Sequence, residues 1–274
     1  MRVTSHRCAC SNEPHSAALE SNARSSRASC VPSFCACETA NNFSNAARND
    51  QTPTMTSTEL DHIVIGCRSL DEARVWCRDV LGVEASGGGK HAGIGTHNTL
   101  LSLGPKHYLE FIAIDPDAPQ PTFPRWFGLD TDEVKSLITH EPKLIAWVAR
   151  ITRESPSDAI EEIARVPGNP ANVVRAAERG DFRWRFAFTS DGTRPRGGVL
   201  PHFIQWDVPS HPCERLPDVG VRLNALLLGD SIPEQTSMLL NSANFLDANV
   251  QVGQSSASSI VATLGTPSRQ IVID

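Results

Sequence analysis

The pattern of apolar and polar positions changes abruptly near Leu60, and from there it predicts a strand followed by a helix. Residues 60–66 (LDHIVIG) form a β-rich apolar run of the kind found in buried strands. Residues 70–81 (LDEARVWCRDVL) place apolar side chains at helical spacing, and Gly82 is expected to end that helix. After a glycine-rich stretch, further strands are predicted at 96–103 (THNTLLSL) and 108–114 (YLEFIAI), which gives the order βαβββ.

The same order of elements recurs later in the chain. The second unit is predicted to contain strands at 143–151, 182–189 and 199–206 and a helix at 157–166. A third, shorter unit is predicted from strands at 221–229, 260–264 and 269–273 and a helix near 233–241. Repetition on this scale predicts an α+β domain in which βαβββ modules share one curved mixed sheet around a cavity.

Residues 1–58 show no periodic pattern and are rich in Ser, Asn, Ala and Arg, which predicts a disordered leader before a folded domain at 59–274. Five of the eight cysteines lie in this leader. Two C-x-C pairs among them could hold a soft metal, although structural zinc sites usually have C-x2-C spacing. A mitochondrial transit role and initiation at Met55 are both left open, but four acidic residues argue against a transit peptide.

Composition and charge limit the classes of partner. The chain has 40% hydrophobic residues and a formal net charge of -6, from 25 basic and 31 acidic residues without long runs. This distribution predicts no nucleic-acid partner. No stretch approaches the roughly 18 consecutive apolar residues of a membrane span, so no membrane partner is expected. We expect a cytoplasmic protein, monomeric or homodimeric, that binds a small-molecule substrate.

Five motifs follow one another in an order that resembles a known family. They are LDHIVIGCRSLDEA (60–73), GIGTHN (93–98), YLEFIAIDPDAP (108–119), RWFGLD (125–130) and GGVLPHFIQWD (197–207). With these motifs the chain resembles the glyoxalase-like branch of the vicinal oxygen chelate superfamily, over nearly all of residues 59–274. The resemblance implies βαβββ units paired into a cup. It does not imply one reaction, because the superfamily contains isomerases, lyases, epimerases, dioxygenases and metal-free binding proteins.

The resemblance also implies a divalent metal in the cup, held by His on first strands and Glu on last strands. His62 and Glu110 match these positions in the first unit. In the second unit Ala146 or Trp147 stands where a ligand is expected, and His202 corresponds to Glu110. A set of two His and one carboxylate would suit Zn, Fe, Mn, Ni or Co. Glu110 is also the first catalytic candidate, because a carboxylate in an apolar strand is expensive to bury without a partner.

Other candidates are less specific. His97 could act as a base or complete the metal sphere, or it could cap a turn, whereas His91 is expected to be a solvated loop residue. Arg183 and Arg185 alternate with aromatic residues and could bind a substrate carboxylate if their face lines the cavity; otherwise that face is solvated. Trp126 could contact substrate as part of a lid.

Three functions remain open at this stage. The first is a metal-assisted lyase or isomerase that acts on a small oxygenated metabolite through an enediolate-like intermediate. The second is a metal-free protein that binds or sequesters a small hydrophobic or aromatic compound. The third is an iron-dependent ring-cleaving dioxygenase, for which the two His and one carboxylate would be the required ligands.

Overall fold

The computed structural model describes residues 56–274, and the predicted leader lies almost wholly outside the described residues. The first unit contains β1 (Thr58–Gly66), α1 (Leu70–Trp76), β2 (Ser86–His91), β3 (Thr96–Ser102) and β4 (Tyr108–Ile114). A short helix, α2 (Asp132–Leu137), precedes the second unit. That unit contains β5 (Lys143–Ile151), α3 (Ala159–Ala164), β6 (Val173–Arg179), β7 (Phe182–Phe188) and β8 (His202–Trp206). The C-terminal part contains β9 (Arg222–Asp230), α4 (Pro233–Ser242), β10 (Val250–Gln254), β11 (Ser259–Gly265) and β12 (Gln270–Ile273).

The predicted helix after the first strand forms with defined ends. The Ser69 side chain accepts a hydrogen bond from the backbone N–H of Glu72 at its start. After α1 the chain continues through a π-helical turn, Cys77–Leu81. It ends at Gly82, whose φ of 72° is the left-handed conformation that glycine adopts most readily.

The first eight strands form one sheet in the order β2-β3-β4-β1-β5-β8-β7-β6. Within each unit the first and last strands are parallel neighbours, β1 with β4 and β5 with β8. Strands β1 and β5 pair antiparallel and join the two units. The order of strands is therefore the same in both units when it is read outward from this junction. The predicted α+β fold with paired βαβββ modules in a curved sheet is confirmed.

The third unit does not extend that sheet, which corrects the sequence prediction. Strands β9 to β12 form a separate four-stranded sheet in the order β10-β9-β11-β12. The physical reason lies at the outer edges of the eight-stranded sheet, where β2 and β6 curl towards each other and come into contact. The backbone of Gly89 on β2 lies against the side chain of Arg179 on β6. The two edge strands therefore cover each other, and strands of the third unit do not pair with them.

Edge strands are where the sequence prediction of strands was least complete. The glycine-rich stretch forms a hairpin, since β2 pairs antiparallel with β3. Strand β6 (VVRAAER) was not predicted, because its residues are half-buried or exposed and lack an apolar alternation. Strand β10 (VQVGQ) was not predicted either, because it is short and its residues are half-buried or exposed.

Two apolar clusters cover the opposite faces of the eight-stranded sheet. Alternate residues such as Ile63, Phe111 and Trp147 point to the outer face, where α1, α3, α4 and the second sheet pack. Their sequence neighbours, such as Val64 and Ile112, point to the inner face with many aromatic side chains. The inner face of the curled sheet is called the cup below. None of the helices in residues 56–274 has the length and apolar character needed to cross a bilayer.

Candidate functional site

Two polar side chains lie side by side on the inner face because the parallel pairing of β1 and β4 places them there. His62 is in register with Tyr108, and Val64 is in register with Glu110. His62 and Glu110 therefore point to the same face from neighbouring strands. His62 Nε2 lies 3.3 Å from Glu110 Oε2, and both side chains are almost fully buried.

His62 is held between two carboxylates. Its Nδ1 lies 2.6 Å from Asp61 Oδ1, on the side away from Glu110. Burial disfavours the charged imidazole, but the hydrogen bonds and charges of Asp61 and Glu110 outweigh it and raise the pKa of His62 to about 9. The ring of Tyr108 stacks on His62 with centroids 4.4 Å apart. At neutral pH this residue is therefore a buried imidazolium with a fixed orientation.

Asp61 is completely buried and accepts hydrogen bonds from three side chains. Besides His62, the indole N–H of Trp206 donates to Oδ2 at 3.0 Å, and Nε2 of His211 lies 2.9 Å from the same oxygen. Burial opposes ionisation, yet the contacts with His211 and His62 hold the pKa of Asp61 well below its usual value. Asp61 is therefore an anion that fixes the His62 ring through Nδ1, on the side away from Glu110.

Asn98 on β3 organises the other side of Glu110. Its amide nitrogen donates to Glu110 Oε1 at 2.6 Å and lies 3.2 Å from His91 Nε2. Its amide oxygen accepts from the backbone N–H of Gly89 and from Arg179, both at 2.9 Å. Because the amide nitrogen can only donate, His91 Nε2 is an acceptor in this network and its proton resides on Nδ1.

Glu110 and His91 are the other ionisable groups of this network, and they differ in charge. Burial favours a neutral Glu110, but hydrogen bonds from His62 and Asn98 and the charge of His62 lower its pKa. Burial, assisted by the charges of Arg179, His97 and His62, outweighs the charge of Glu110 and lowers the pKa of His91 to about 4. The cup therefore presents an anionic Glu110 beside a neutral His91, with cationic His62 between two acids.

Aromatic side chains form the rest of the cup wall. Trp126 and Phe127 reach it from the connection after β4, and Trp184, Phe186 and Trp206 reach it from the second unit. Phe127 adopts a φ of 61°, which a bulky residue rarely does, and such strain is concentrated at functional sites. The cavity enclosed by these side chains is small, about 30 Å³. Side chains must move for any ligand larger than a water molecule to enter.

The structure brings some of the predicted site residues to the cup and leaves others outside it. His62, Glu110 and Trp126 line the cavity. His97 points to the other face, because its neighbour Asn98 points inward and side chains alternate along β3. Arg183 and Arg185 also point away, because Trp184 between them lines the cup.

The two outward arginines are engaged by carboxylates. Arg183 is largely exposed and lies 3.5 Å from Glu178. Arg185 contacts Glu161 at 2.9 Å and Asp207 at 2.8 Å. Arg185 borders a second, open cavity of about 600 Å³, which shares only Trp206 with the lining of the cup. That larger cavity has less to offer chemically, because carboxylates already bind its arginines.

His202 lies at the base of the second unit and does not join His62 and Glu110. It is fully buried against Phe127 and Phe186, at centroid distances of 5.0 and 5.5 Å. Neither ring nitrogen has a hydrogen-bond partner. Burial lowers the pKa of His202 to about 3, and a weak contact with the backbone of Ala187 offsets only part of this shift.

The described residues do not fit the divalent metal that the resemblance implies. Within residues 56–274 no group of three or more His, Cys, Asp and Glu side chains is arranged to hold an ion. In addition, each ring nitrogen of His62 is engaged by a carboxylate, at 2.6 Å for Asp61 and 3.3 Å for Glu110. The proposed reaction therefore uses no metal.

Several residues of the site were not predicted from the sequence. Asp61 and Asn98 immediately adjoin the predicted histidines, so strand alternation could have drawn attention to them. His91 was expected to be solvated, but it is buried beside Asn98. Arg179 gave no signal, because it lies on the strand that was not predicted. His211 lies in a loop whose folding back onto Asp61 has no local signature.

The chain is similar to several solved structures. A solved hypothetical protein from Staphylococcus aureus is 14% identical, covering 75% of this chain and 90% of its own, with a TM-score of 0.47. Methylmalonyl-CoA epimerase from Mycobacterium tuberculosis is 21% identical, covering 54% and 85%, with a TM-score of 0.33. The Streptomyces coelicolor methylmalonyl-CoA epimerase in complex with 2-nitronate-propionyl-CoA is 18% identical, covering 54% and 97%, with a TM-score of 0.34.

A family profile described as Glyoxalase-like domain matches residues 60–243, which is more than half of the chain. A search of curated proteins finds no match. The matched segment contains both βαβββ units and every side chain that lines the cup. This chain therefore belongs to the glyoxalase-like domain family.

Proposed function

We propose that the cup is the active site of a lyase or isomerase that moves a proton on a small oxygenated metabolite. The observation that supports this function is the buried pair of His62 and Glu110 in a cavity walled by aromatic rings. Burying two charges is unfavourable, and well-packed apolar residues would stabilise a fold equally well. Strongly shifted pKa values inside a cleft are typical of functional sites.

Glu110 is the proposed proton acceptor. Its carboxylate would take a proton from a carbon next to a carbonyl, and the electrons of the broken C–H bond would move into an enolate. When Glu110 becomes neutral it attracts His62 less, so the Nε2–H of His62 is free to donate to the enolate oxygen. In an isomerase the same proton returns to a different position. In a lyase the enolate electrons expel a group from the adjacent carbon.

Asp61 would act as a positioning residue in this scheme. It contacts Nδ1 of His62 and keeps the imidazole charged, so that Nε2 always carries a proton towards Glu110. Asn98 would have the matching role for Glu110, because it fixes the second carboxylate oxygen and leaves one oxygen for chemistry. The sequence-based hypothesis of a metal-assisted reaction is replaced here by one that uses side chains alone.

Deuterium exchange tests this proposal without knowledge of the natural substrate. Small 2-oxo acids, 2-hydroxy ketones and carboxylic thioesters are incubated with the protein in D2O, and loss of the proton next to the carbonyl is followed by NMR. We expect exchange of at least one class, and a decrease of about 10²-fold or more in Glu110→Gln. His107→Gln is the matched control, because His107 pairs with Asp247 at 2.9 Å outside the cup. Exchange that survives in Glu110→Gln would contradict the proposal.

A second function, binding or sequestering of a small aromatic compound, is favoured by the aromatic wall and by the lowered pKa of Glu110. A carboxylate with a low pKa is a weak base, and rings from both units surround the cavity. Ligand binding without deuterium exchange in any compound class would favour this second function.

A further inference from the structure

We propose that the cup selects ligands that carry a carboxylate, and that Arg179 and Trp126 bind this group. This inference rests on the proposed function, because it names the substrate class of the same site. Two side chains of the cup wall have hydrogen-bond donors that the fold does not use. They are the cationic guanidinium of Arg179 and the neutral indole N–H of Trp126.

Arg179 is the cationic donor. It reaches from the edge strand β6 to the first unit, where one guanidinium nitrogen donates to Asn98 Oδ1 at 2.9 Å. That bond uses one of its five N–H groups. No carboxylate within residues 56–274 lies at ion-pair distance from Arg179, although most arginines of this region have such a partner. The guanidinium therefore keeps a free charge and free donors at the cup.

Trp126 provides the neutral donor. Its side chain is 4% exposed and lines the cup, and its indole N–H has no hydrogen-bond partner. Buried donors are almost always paired, so an unpaired indole N–H on a side chain that lines a cavity points to a group supplied by a ligand. By contrast, the indoles of Trp147 and Trp206 donate to Val199 and Asp61.

The charges of the cup determine the kind of group that fits. Glu110 is paired with His62, whereas Arg179 is a charged lining residue without a carboxylate at ion-pair distance in residues 56–274. A planar carboxylate can accept from a guanidinium and from an indole N–H at the same time. The flanking rings of Trp184 and Phe186 match an apolar or planar remainder of the ligand. A carboxylate bound in this way would place its neighbouring carbon near Glu110.

Two pairs of probes test this inference, benzoate against benzamide and propionate against propionamide. The members of each pair have nearly the same shape and differ in charge. Calorimetric titration of the full-length chain should show binding of at least one carboxylate, about tenfold or more tighter than its amide. The amide is expected to bind weakly because it leaves the guanidinium without a counter-charge.

Variants assign the preference to the two residues. Arg179→Gln should weaken carboxylate binding by about tenfold to hundredfold and leave amide binding unchanged. Arg175→Gln is the control, because Arg175 lies on the same strand but stacks over Phe123 at 4.1 Å, away from the cup lining. In NMR spectra, the indole N–H signal of Trp126 should move on addition of carboxylate while that of Trp147 stays in place.

The outcomes separate this inference from the proposed function. Glu110→Gln should slow deuterium exchange by about 10²-fold or more and keep the carboxylate preference. If the unaltered protein prefers carboxylates but exchanges no proton, the proposed reaction is wrong and the inferred ligand class stands. Equal binding of acids and amides overturns the inference. So does an unchanged preference in Arg179→Gln, and so does the absence of binding by either carboxylate at millimolar concentration.

Discussion

The inner faces of the two βαβββ units share one backbone plan but differ in chemistry. In the first unit, His62, Asn98 and Glu110 form a hydrogen-bonded network. In the second unit, the same face carries mostly aromatic and aliphatic side chains, among which His202 is buried without a partner, and Arg179 at its edge. The first unit thus supplies the pair of His62 and Glu110, and the second supplies most of the aromatic wall. A repeated backbone therefore does not require a repeated set of ligands.

The two buried histidines show this difference most directly. Both are almost fully enclosed, and in each case burial by itself favours a lower pKa. His62 has a carboxylate at each ring nitrogen, and its pKa rises to about 9. His202 has none, and its pKa falls to about 3. Partners, rather than depth of burial, decide which histidine is charged.

The largest expected change in stability follows from removal of the buried carboxylate of Asp61. Asp61→Ala should lower the free energy of unfolding by about 3–5 kcal/mol, because the imidazolium of His62 and two further donors lose their acceptor. Urea denaturation measures this change. Asp218→Ala is the control, since its ion pair with Arg222 is exposed to solvent and should contribute little to stability. A loss below about 1 kcal/mol in Asp61→Ala would show that these donors find other acceptors.

The pH dependence of stability should have two limbs that arise from these histidines. The pKa of His62 is raised above 6.5, so its contribution is complete below pH 6.5 and is lost as pH rises towards 9. The pKa values of His91 and His202 are lowered, so their contributions are present above pH 6.5 and are lost as pH falls towards 4 and 3. Asp61 and Glu110 act in the same direction on the acid side.

NMR titration of the imidazole carbon-bound protons checks these assignments, with unfolding measured at each pH. Asp61→Asn should lower the pKa of His62 and leave that of His202 in place. If His62 titrates near 6.5 in the unaltered chain, the pairing with two carboxylates does not hold in solution.

A smaller effect of opposite sign is expected at the base of the second unit. His202→Leu removes two unpaired ring nitrogens from an apolar environment and replaces the imidazole by a side chain of similar volume. It should therefore stabilise the fold by about 1–2 kcal/mol. Thermal unfolding measures this gain. The matched change His62→Leu should destabilise, because it leaves Asp61 and Glu110 without their shared partner. Destabilisation by His202→Leu would indicate that its imidazole has a polar partner in solution.

The smallest effect is expected on the outer face of β7. Arg183→Gln should change the free energy of unfolding by no more than about 0.5 kcal/mol, because Arg183 is exposed and its contact with Glu178 is long. Binding of benzoate in the cup should change less than twofold. A large loss of binding would mean that the outer face of this strand takes part in ligand recognition.

Much of the cup could be predicted from the linear order of residues. The alternation of apolar positions located β1 and β4, and the match of His62 and Glu110 to neighbouring strands predicted that they would meet. The same reasoning failed for His97, because successive residues of a strand face opposite sides of the sheet. A difference of one residue decides that Asn98 rather than His97 lies on the inner face. Strand phase is set by packing of the whole sheet rather than by the local motif.

Local pattern was sufficient for features that depend on neighbours in the chain or on neighbouring strands. These are the βαβββ order, the hairpin at the glycine-rich stretch and the pair of His62 and Glu110. Curling of the sheet decided the rest, because it brings β6 against β2 and carries Arg179 to Asn98 across 81 positions of sequence. Folding back of a loop likewise brings His211 to Asp61. Such contacts have no periodic signature, since they form only when distant segments pack together.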